Sequence, residues 1–262
     1  MIWRHELKYL IDEATFQQLY FTLRCVLHGD RHANDADPAG FSGYQIRSLY
    51  FDDYNRTGIF DKLAGVDPRH KFRIRIYNDN DQVIHLEKKI KSGNMTHKQS
   101  CRLARWQVEG LLDGDPEVLL EEVAETDFTG LAAPVKVVAD QRSRKRDRLL
   151  LNQFYADIRT RLLSPMLLVD YDRTPLVWPD GNVRITFDRH LATGFYRQDL
   201  WDHAAGLQPV LEPGTLIMEV KYDHFLPEFI RTLLPLSGAS PLAVSKYVQC
   251  AGYCSMNKWE DQ

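Results

Sequence analysis

Polar and apolar residues alternate along many short segments of the chain. A period of two is typical of β-strands that bury one face. About eight short β-like segments are present, several of them with this alternation, and consecutive ones are often close enough together to pair as hairpins. The run Asn78–Asp81, which contains only Asn and Asp, predicts a turn between two of them. The predicted strands cover residues 2–10, 46–53, 71–78, 82–91, 101–109, 166–173, 182–190 and 215–222.

Helical spacing of apolar residues predicts the remaining ordered segments. Leu150, Phe154 and Ile158 recur four residues apart and predict a helix over 149–163. Asp12 is a suitable N-cap for a helix that runs to residue 27. Shorter helices are predicted over 116–124 and 242–253, and a polar stretch rich in Gly, Asp and Asn predicts a long surface loop over 28–43.

The polar faces of the predicted strands carry charges instead of the usual Ser, Thr and Gln. A solvated sheet face explains any one of them, but eight strands can also close into a barrel whose charged faces line one lumen. The faces of 46–53 and 101–109 stay unassigned. The other charged faces hold Arg4, Glu6 and Lys8; Lys71, Arg73 and Arg75; His85, Glu87, Lys89 and Lys91; Arg184 and Asp188; and Glu219 and Lys221.

Crowded cations repel and are costly to remove from water, so a basic lumen needs a polyanion, a metal ion or nearby carboxylates. These strands and helices predict an α+β fold, in which the strands form either an antiparallel sheet with one solvated face or a closed antiparallel eight-stranded β-barrel with helices packed on the outside. The chain shows no repeat and no linker composition, so residues 1–262 are predicted to form a single domain.

Composition restricts the function classes. Of the 262 residues, 44% are hydrophobic and 26% are charged, which is typical of a globular protein. With a net charge of -3, the protein could bind polyanions only through positive charge that is concentrated locally, and we expect no nucleic-acid partner. No apolar stretch reaches the ~18 residues of a membrane span, and no secretion signal opens the chain, so we expect a cytoplasmic protein without a transmembrane segment.

Three local features favour structural interpretations. The four cysteines are scattered, and Cys250 and Cys254 are predicted to pack in the core without a metal. His28 and His32 are four residues apart but fall where a helix gives way to a loop, so we assign them no catalytic role. The basic run 142–148 fits a solvated face, with a polyanion-docking patch as the alternative.

Eight short motifs follow one another in a recognisable order. They are Arg4–Tyr9, Ser48–Asp52, Lys71–Tyr77, Glu87–Lys89, Tyr171–Arg173, Val183–Ile185, Glu219–Lys221 and Ser245–Tyr247. In order and approximate spacing the chain resembles the VTC domain, the polyphosphate polymerase domain of the vacuolar transporter chaperone family. That family is a branch of the triphosphate tunnel metalloenzymes, and the resemblance spans about residues 3–253. It implies the closed eight-stranded barrel with helices packed on the outside.

The resemblance implies an enzyme that transfers the γ-phosphate of ATP to a growing inorganic polyphosphate chain, with release of ADP, and needs Mn²⁺ or Mg²⁺. ATP and polyphosphate are the implied partners; a membrane partner would not be visible in this sequence. We expect catalytic roles for Arg73, Arg75, Lys89 and Lys246, and a metal-binding role for Glu219. The phosphate-binding candidates are Lys8, Lys62, Arg73, Arg75, Lys89, Arg173, Arg184, Lys221 and Lys246.

Several assignments stay open. Glu6 and Glu87 are either additional metal ligands or charge balance for the lumen, and either Lys98 or Arg102 supplies a further basic group. The hydrolase and cyclase branches open with Glu-x-Glu-x-Lys, but Arg4 replaces the first Glu here, which favours the polymerase branch. Alternatives are a triphosphate or polyphosphate hydrolase in the same tunnel and a non-enzymatic polyphosphate-binding module. The phosphate-loop and dinucleotide-binding glycine motifs are absent.

Overall fold

The computed structural model describes residues 3–33, 40–124, 127, 141–195, 198, 200–202, 206–234 and 245–256. The strands are β1 (Arg4–Asp12), β2 (His28–Gly29), β3 (Tyr44–Asp52), β4 (Arg69–Tyr77), β5 (Asn80–Ser92), β6 (Met95–Leu103), β7 (Ser164–Trp178), β8 (Val183–Phe195), β9 (Gln208–Pro209) and β10 (Thr215–Tyr222). The helices are α1 (Glu13–Arg24), α2 (Thr57–Leu63), α3 (Arg105–Leu112), α4 (Gln141–Arg161), α5 (Glu228–Leu233) and α6 (Lys246–Met256).

Eight long strands form a closed antiparallel barrel. Their order is β7-β3-β4-β5-β6-β1-β10-β8, and β8 pairs again with β7 to complete the circle. The joint between β1 and β6 is the shortest, with only Arg4 opposite Thr96 and His5 opposite Met95. The two-residue strands β2 and β9 extend the sheet beside β7 and β8. The predicted fold class is confirmed.

Apolar layers cover the outside of the barrel. Helix α4 packs Phe154 against Phe51 and Phe72, which point outward from β3 and β4. Helix α1 places Phe16 against Phe187 of β8, and Asp12 caps this helix by accepting from Thr15 N, as predicted. The strands therefore have an outer face covered by helices and an inner face left for polar side chains.

Helix α6 is placed differently, because it packs against side chains that face the lumen. Tyr247 stacks on Tyr50 at 4.9 Å between ring centroids, and Cys250 is buried in the same cluster as Leu167 and Tyr171. Burial raises the pKa of the Cys250 thiol to about 12. Cys250 is thus a core residue, as expected, and α6 covers part of one end of the lumen.

Some predicted boundaries are wrong. The strand placed at 101–109 is β6 at Met95–Leu103, and its predicted second half is α3, because Trp106, Val108 and Leu111 pack outside the barrel as a helix. The helix predicted at 149–163 is α4, which already includes Gln141 and ends at Arg161. It therefore contains the basic run 142–148, whose basic side chains are exposed as predicted. The segment 116–124 forms only a 3₁₀ helix, Pro116–Leu120.

The remaining predicted segments differ less. Helix α1 ends at Arg24 instead of residue 27, and the predicted loop 28–43 contains β2. His28 and His32 are exposed, in keeping with their assignment. Residue 2 of the first predicted strand, residues 34–39 of the loop and residues 242–244 of the last predicted helix lie outside the described residues.

Candidate functional site

The strand register decides which charged side chains face the lumen. Residues directly opposite each other in an antiparallel pair share a face. Arg73 lies opposite Tyr50 on β3 and Glu87 on β5, and Glu219 lies opposite Lys8 on β1. The same face carries Glu6, Lys8, Lys71, Arg73, Arg75, Glu87, Lys89, Lys91, Lys98, Arg173, Arg184, Asp188, Glu219 and Lys221.

Glu219 is the most heavily paired acid of the lumen. Its Oε1 lies 2.7 Å from Lys246 Nζ and 3.1 Å from Lys8 Nζ. Its Oε2 lies 2.5 Å from Lys221 Nζ and 3.5 Å from Arg173 Nη2. Burial would raise the pKa of this carboxyl, but the surrounding cations, led by Lys221, hold it well below its usual range.

Asp188 joins the same group from β8. Arg173 donates to both of its carboxylate oxygens at 2.7 Å, the bidentate arrangement that suits a guanidinium. Lys246 Nζ lies 2.5 Å from Asp188 and 2.7 Å from Glu219, so this lysine of α6 connects two acids from different strands. All of these side chains are buried.

Glu6 and Lys8 continue the network along β1. Lys89 Nζ lies 2.7 Å from Glu6, and Lys8 Nζ lies 3.3 Å from Glu6 and 3.1 Å from Glu219. Burial alone would lower the pKa of Lys8, but Glu219 and Glu6 raise it on balance. For Lys89 burial dominates, and its pKa is lowered.

Glu87 organises the wall formed by β4, β5 and β6. It accepts from Arg73 Nε at 2.7 Å and from Lys98 Nζ at 2.7 Å, and Arg75 Nη1 lies 3.6 Å away. Arg73 also donates to the Tyr50 hydroxyl at 2.7 Å. Burial of that hydroxyl opposes ionisation, but Arg73 and Arg75 outweigh it and lower the pKa of Tyr50.

The sequence matches a known protein family. The family model described as the VTC domain matches residues 3–257. The chain belongs to the VTC domain family. No curated protein sequence matches it significantly.

Solved structures resemble this VTC domain at low identity. A proposed adenylate cyclase of Bacillus halodurans is 12% identical, with 94% of this chain and 96% of that chain covered and a TM-score of 0.44. The PH1819 protein of Pyrococcus horikoshii is 12% identical, with 96% and 99% covered and a TM-score of 0.42. A conserved hypothetical protein from Pyrococcus furiosus is 10% identical, with 94% and 99% covered and a TM-score of 0.41.

The VTC domain brings most of the predicted site residues together. Their ion pairs form two groups. One group is Arg73, Arg75 and Glu87, and the other is Glu6, Lys8, Lys89, Arg173, Glu219, Lys221 and Lys246. Two predicted phosphate-binding residues lie further out. Arg184 donates to the Tyr44 hydroxyl at 2.7 Å and lies 2.5 Å from Asp30, while Lys62 is half-buried on α2.

Lys98 is the further basic group of the central network. It lies against Glu87, whereas Arg102 shares the lumen face by register but donates to the Gln82 carbonyl at 3.0 Å. Sequence reasoning missed Asp188 and the hydroxyls of Tyr50 and Tyr171 as members of the site. Tyr171 accepts from Arg75 Nη2 at 3.1 Å.

The acids of the lumen fit a divalent cation bound together with phosphate. Within the described residues, no three His, Cys, Asp or Glu side chains form a ready metal cage. Mg²⁺ usually binds one or two carboxylates and completes its shell with phosphate oxygens and water. Glu219 and Glu6 offer such a pair, because one cation, the Lys8 ammonium, already lies between them.

Proposed function

We propose that this VTC domain transfers the γ-phosphate of ATP to the end of an inorganic polyphosphate chain and releases ADP. The chain grows by one phosphate as the bond to the β-phosphate of ATP breaks. The observation that supports the proposal is a buried lumen in which basic side chains outnumber carboxylates. Every central carboxylate is shared by at least two of the cations.

Each lumen acid acts as an internal counter-ion that a phosphate can replace. Arg73 and Arg75 are two residues apart on β4, so they point the same way about 7 Å apart. Their guanidinium groups can each bind two phosphate oxygens, which places neighbouring phosphates along the strand. Phosphoryl transfer depends mainly on such positioning and charge neutralisation.

A polymer satisfies this lumen better than one nucleotide does. The triphosphate of ATP would engage part of the basic wall and leave the other cations facing their like-charged neighbours. A triphosphate placed beside the end of a phosphate chain would neutralise both groups and hold donor and acceptor in line. This is the reason for preferring a polymerase to a binding module.

Arg4 supports the choice of a polymerase over a hydrolase. At the position of the first acid of Glu-x-Glu-x-Lys, it lies 2.9 Å from Asp223 and donates to the Asn182 carbonyl at 2.5 Å. The lumen therefore gains no metal-binding carboxylate there. Glu219, with Glu6 beside it, would hold Mn²⁺ or Mg²⁺, and such an ion would supply charge neutralisation to the phosphate oxygens.

Incubation of the purified protein with ATP and Mn²⁺ tests the proposal, with products separated by gel and by ³¹P NMR. We expect ADP together with a polymer that lengthens with time and disappears on exopolyphosphatase treatment. ADP with free phosphate and no polymer would establish the hydrolase instead. Tight polyphosphate binding without nucleotide turnover would leave the binding module.

The proposed partners are therefore ATP and polyphosphate. None of the helices in the described part of the chain combines the length and apolarity needed to cross a bilayer.

A further inference from the structure

One wall of the lumen sets like charges directly opposite each other. Arg69 of β4 lies opposite Lys91 of β5, and Lys71 lies opposite Lys89. Lys89 in turn lies opposite Lys98 of β6. Like charges in directly opposed positions destabilise a sheet. Lys89 and Lys98 are each ion-paired with a lumen acid, Glu6 and Glu87, so it is Arg69, Lys71 and Lys91 whose placement requires an explanation outside folding stability.

Carboxylates do not balance the outer part of this wall. Asp52 is the acid that acts on Lys71, but Asp52 Oδ1 accepts from Gly58 N at 2.9 Å and its Oδ2 accepts from the Tyr247 hydroxyl at 2.5 Å. Within the described residues, the buried Lys71 Nζ has no hydrogen-bond partner and lies 4.2 Å from the centroid of the Tyr247 ring. Asp67 accepts from Gly93 N at 2.9 Å, and although Asp67 and Glu6 act to raise the pKa of Lys91, burial and Arg69 outweigh them and lower it.

Lys62 of α2 adds a further cation to this end of the barrel. Helix α2 packs on β4, and the pKa of Lys62 is lowered by burial and then by Arg69, Lys91 and Lys8. Lys62, Arg69 and Lys91 are half-buried, so water and solutes reach them. We call Lys62, Arg69, Lys71 and Lys91 the rim cluster. It joins the central site through Lys89, which also contacts Glu6.

The other end of β4 has a different character. Arg184 is paired there with Asp30 and with the Tyr44 hydroxyl. Tyr44 packs edge-on against Tyr77, with ring centroids 5.8 Å apart. Arg69 and Tyr77 are eight residues apart on one strand, which corresponds to about 26 Å. Among the described residues, cations without a carboxylate partner are thus concentrated at one end of the lumen, where Arg69 donates to the Val66 carbonyl at 2.7 Å, and aromatic rings with ion-paired charge lie at the other.

We propose that the rim cluster is a subsite for the polyphosphate chain beyond the reacting phosphates, so that the chain leaves the barrel at the Arg69–Lys91 end. The inference rests on the proposed function and adds a direction to it. Arg69, Lys71, Arg73 and Arg75 follow every second position of β4 and span about 20 Å. A flexible chain with a negative charge on every phosphate matches this row, whereas a nucleotide has only a short anionic part.

Binding measurements without ATP test the subsite separately from catalysis. Affinities of tripolyphosphate and of a long polyphosphate are compared for the wild type and the double variant Arg69→Gln/Lys91→Gln. We expect the double variant to lose about tenfold in affinity for the long chain, and the slope of log K against log salt to fall by about 1.4, at about 0.7 per lost contact. Tripolyphosphate, which fits the central site, should keep its affinity within about twofold.

The matched control is Arg159→Gln/Arg231→Gln, which removes two exposed cations from α4 and α5 and should change neither affinity. Because the double variant Arg69→Gln/Lys91→Gln relieves a like-charge pair, the melting temperature of the protein should not fall. If the double variant does not fold, the single variant Lys91→Gln repeats the test. Unchanged affinity for the long chain, or an equal loss for tripolyphosphate, would overturn the subsite. A wild-type protein that makes no polymer, yet shows the selective loss, would refute the polymerase and leave the subsite standing.

Discussion

Glu219→Gln is the substitution that separates the structural and the chemical roles of the lumen acids. The change keeps the size of the side chain and removes its charge. Lys8, Lys221, Lys246 and Arg173 would then face each other across a neutral group. Because Arg173 and Lys246 are buried and Lys8 and Lys221 are partly buried, water can compensate these cations only partly.

The size of the effect follows from the burial of this network. Loss of one partner from a buried ion pair costs about 3–5 kcal/mol. For a domain of this size, each kcal/mol lowers the melting temperature by about 2–4 °C, so we expect a fall of about 6–20 °C. Tripolyphosphate supplies the missing negative charge, and it should therefore raise the melting temperature of the variant more than that of the wild type.

Thermal melts with and without tripolyphosphate measure this effect, and a metal titration of activity accompanies them. Glu109→Gln is the control, because it removes an exposed acid on α3. We expect Glu219→Gln to lose metal-dependent activity while it still binds polyphosphate. A variant that melts like the wild type and keeps the same metal requirement would refute both the counter-ion and the metal-binding role.

Two further predictions concern β4. Arg73→Ala and Arg75→Ala should each lower turnover by about 10²–10³, the usual effect of a lost donor at a charged transition state. The control Lys88→Ala, on the outer face over Phe72, should keep wild-type turnover. Near-wild-type turnover of either arginine variant would show that this part of β4 takes no part in the reaction. Burial lowers the pKa of Lys71 to about 7, so its charge destabilises the fold below that pH, and the cost vanishes as pH rises through the unfolded value of about 10.4. Lys71→Met should therefore raise the melting temperature more at about pH 6 than at about pH 10, and an equal gain at both would contradict the assignment.

Alternation predicted the faces of the strands whose two sides differ in polarity. In β4 every lumen residue from Arg69 to Arg75 is basic, and Phe72 and Ile74 point outward. In β3 the run 49–51 is apolar or aromatic on both faces, so the pattern could not show that Tyr50 points inward. The structure decides this. Tyr50 faces the lumen, where Tyr247 of α6 stacks on it, and Phe51 points outward against Phe154 of α4.

Strand β6 was displaced in the prediction for a related reason. Its outer face includes the polar residues His97 and Gln99, and apolar residues recur only near its end and in α3. Asp188 was seen as one more charge on a polar face. Only the pairing of β7 with β8 places it opposite Arg173, and no spacing within one segment carries that information.

The lumen acids explain how a barrel with so many internal cations can fold before any phosphate is bound. Glu6, Glu87, Asp188 and Glu219 come from four different strands, and each pairs with cations from other strands or from α6. These pairs compensate the desolvation of the cations in the free protein, and a phosphate chain can take over the same donors. The central site is therefore balanced in both states, whereas in the outer wall no described acid forms an ion pair with Lys71 or Arg69. If the acids set the strength of binding at the centre, removal of one should tighten polyphosphate binding there, and removal of rim cations should loosen it only for chains long enough to reach them.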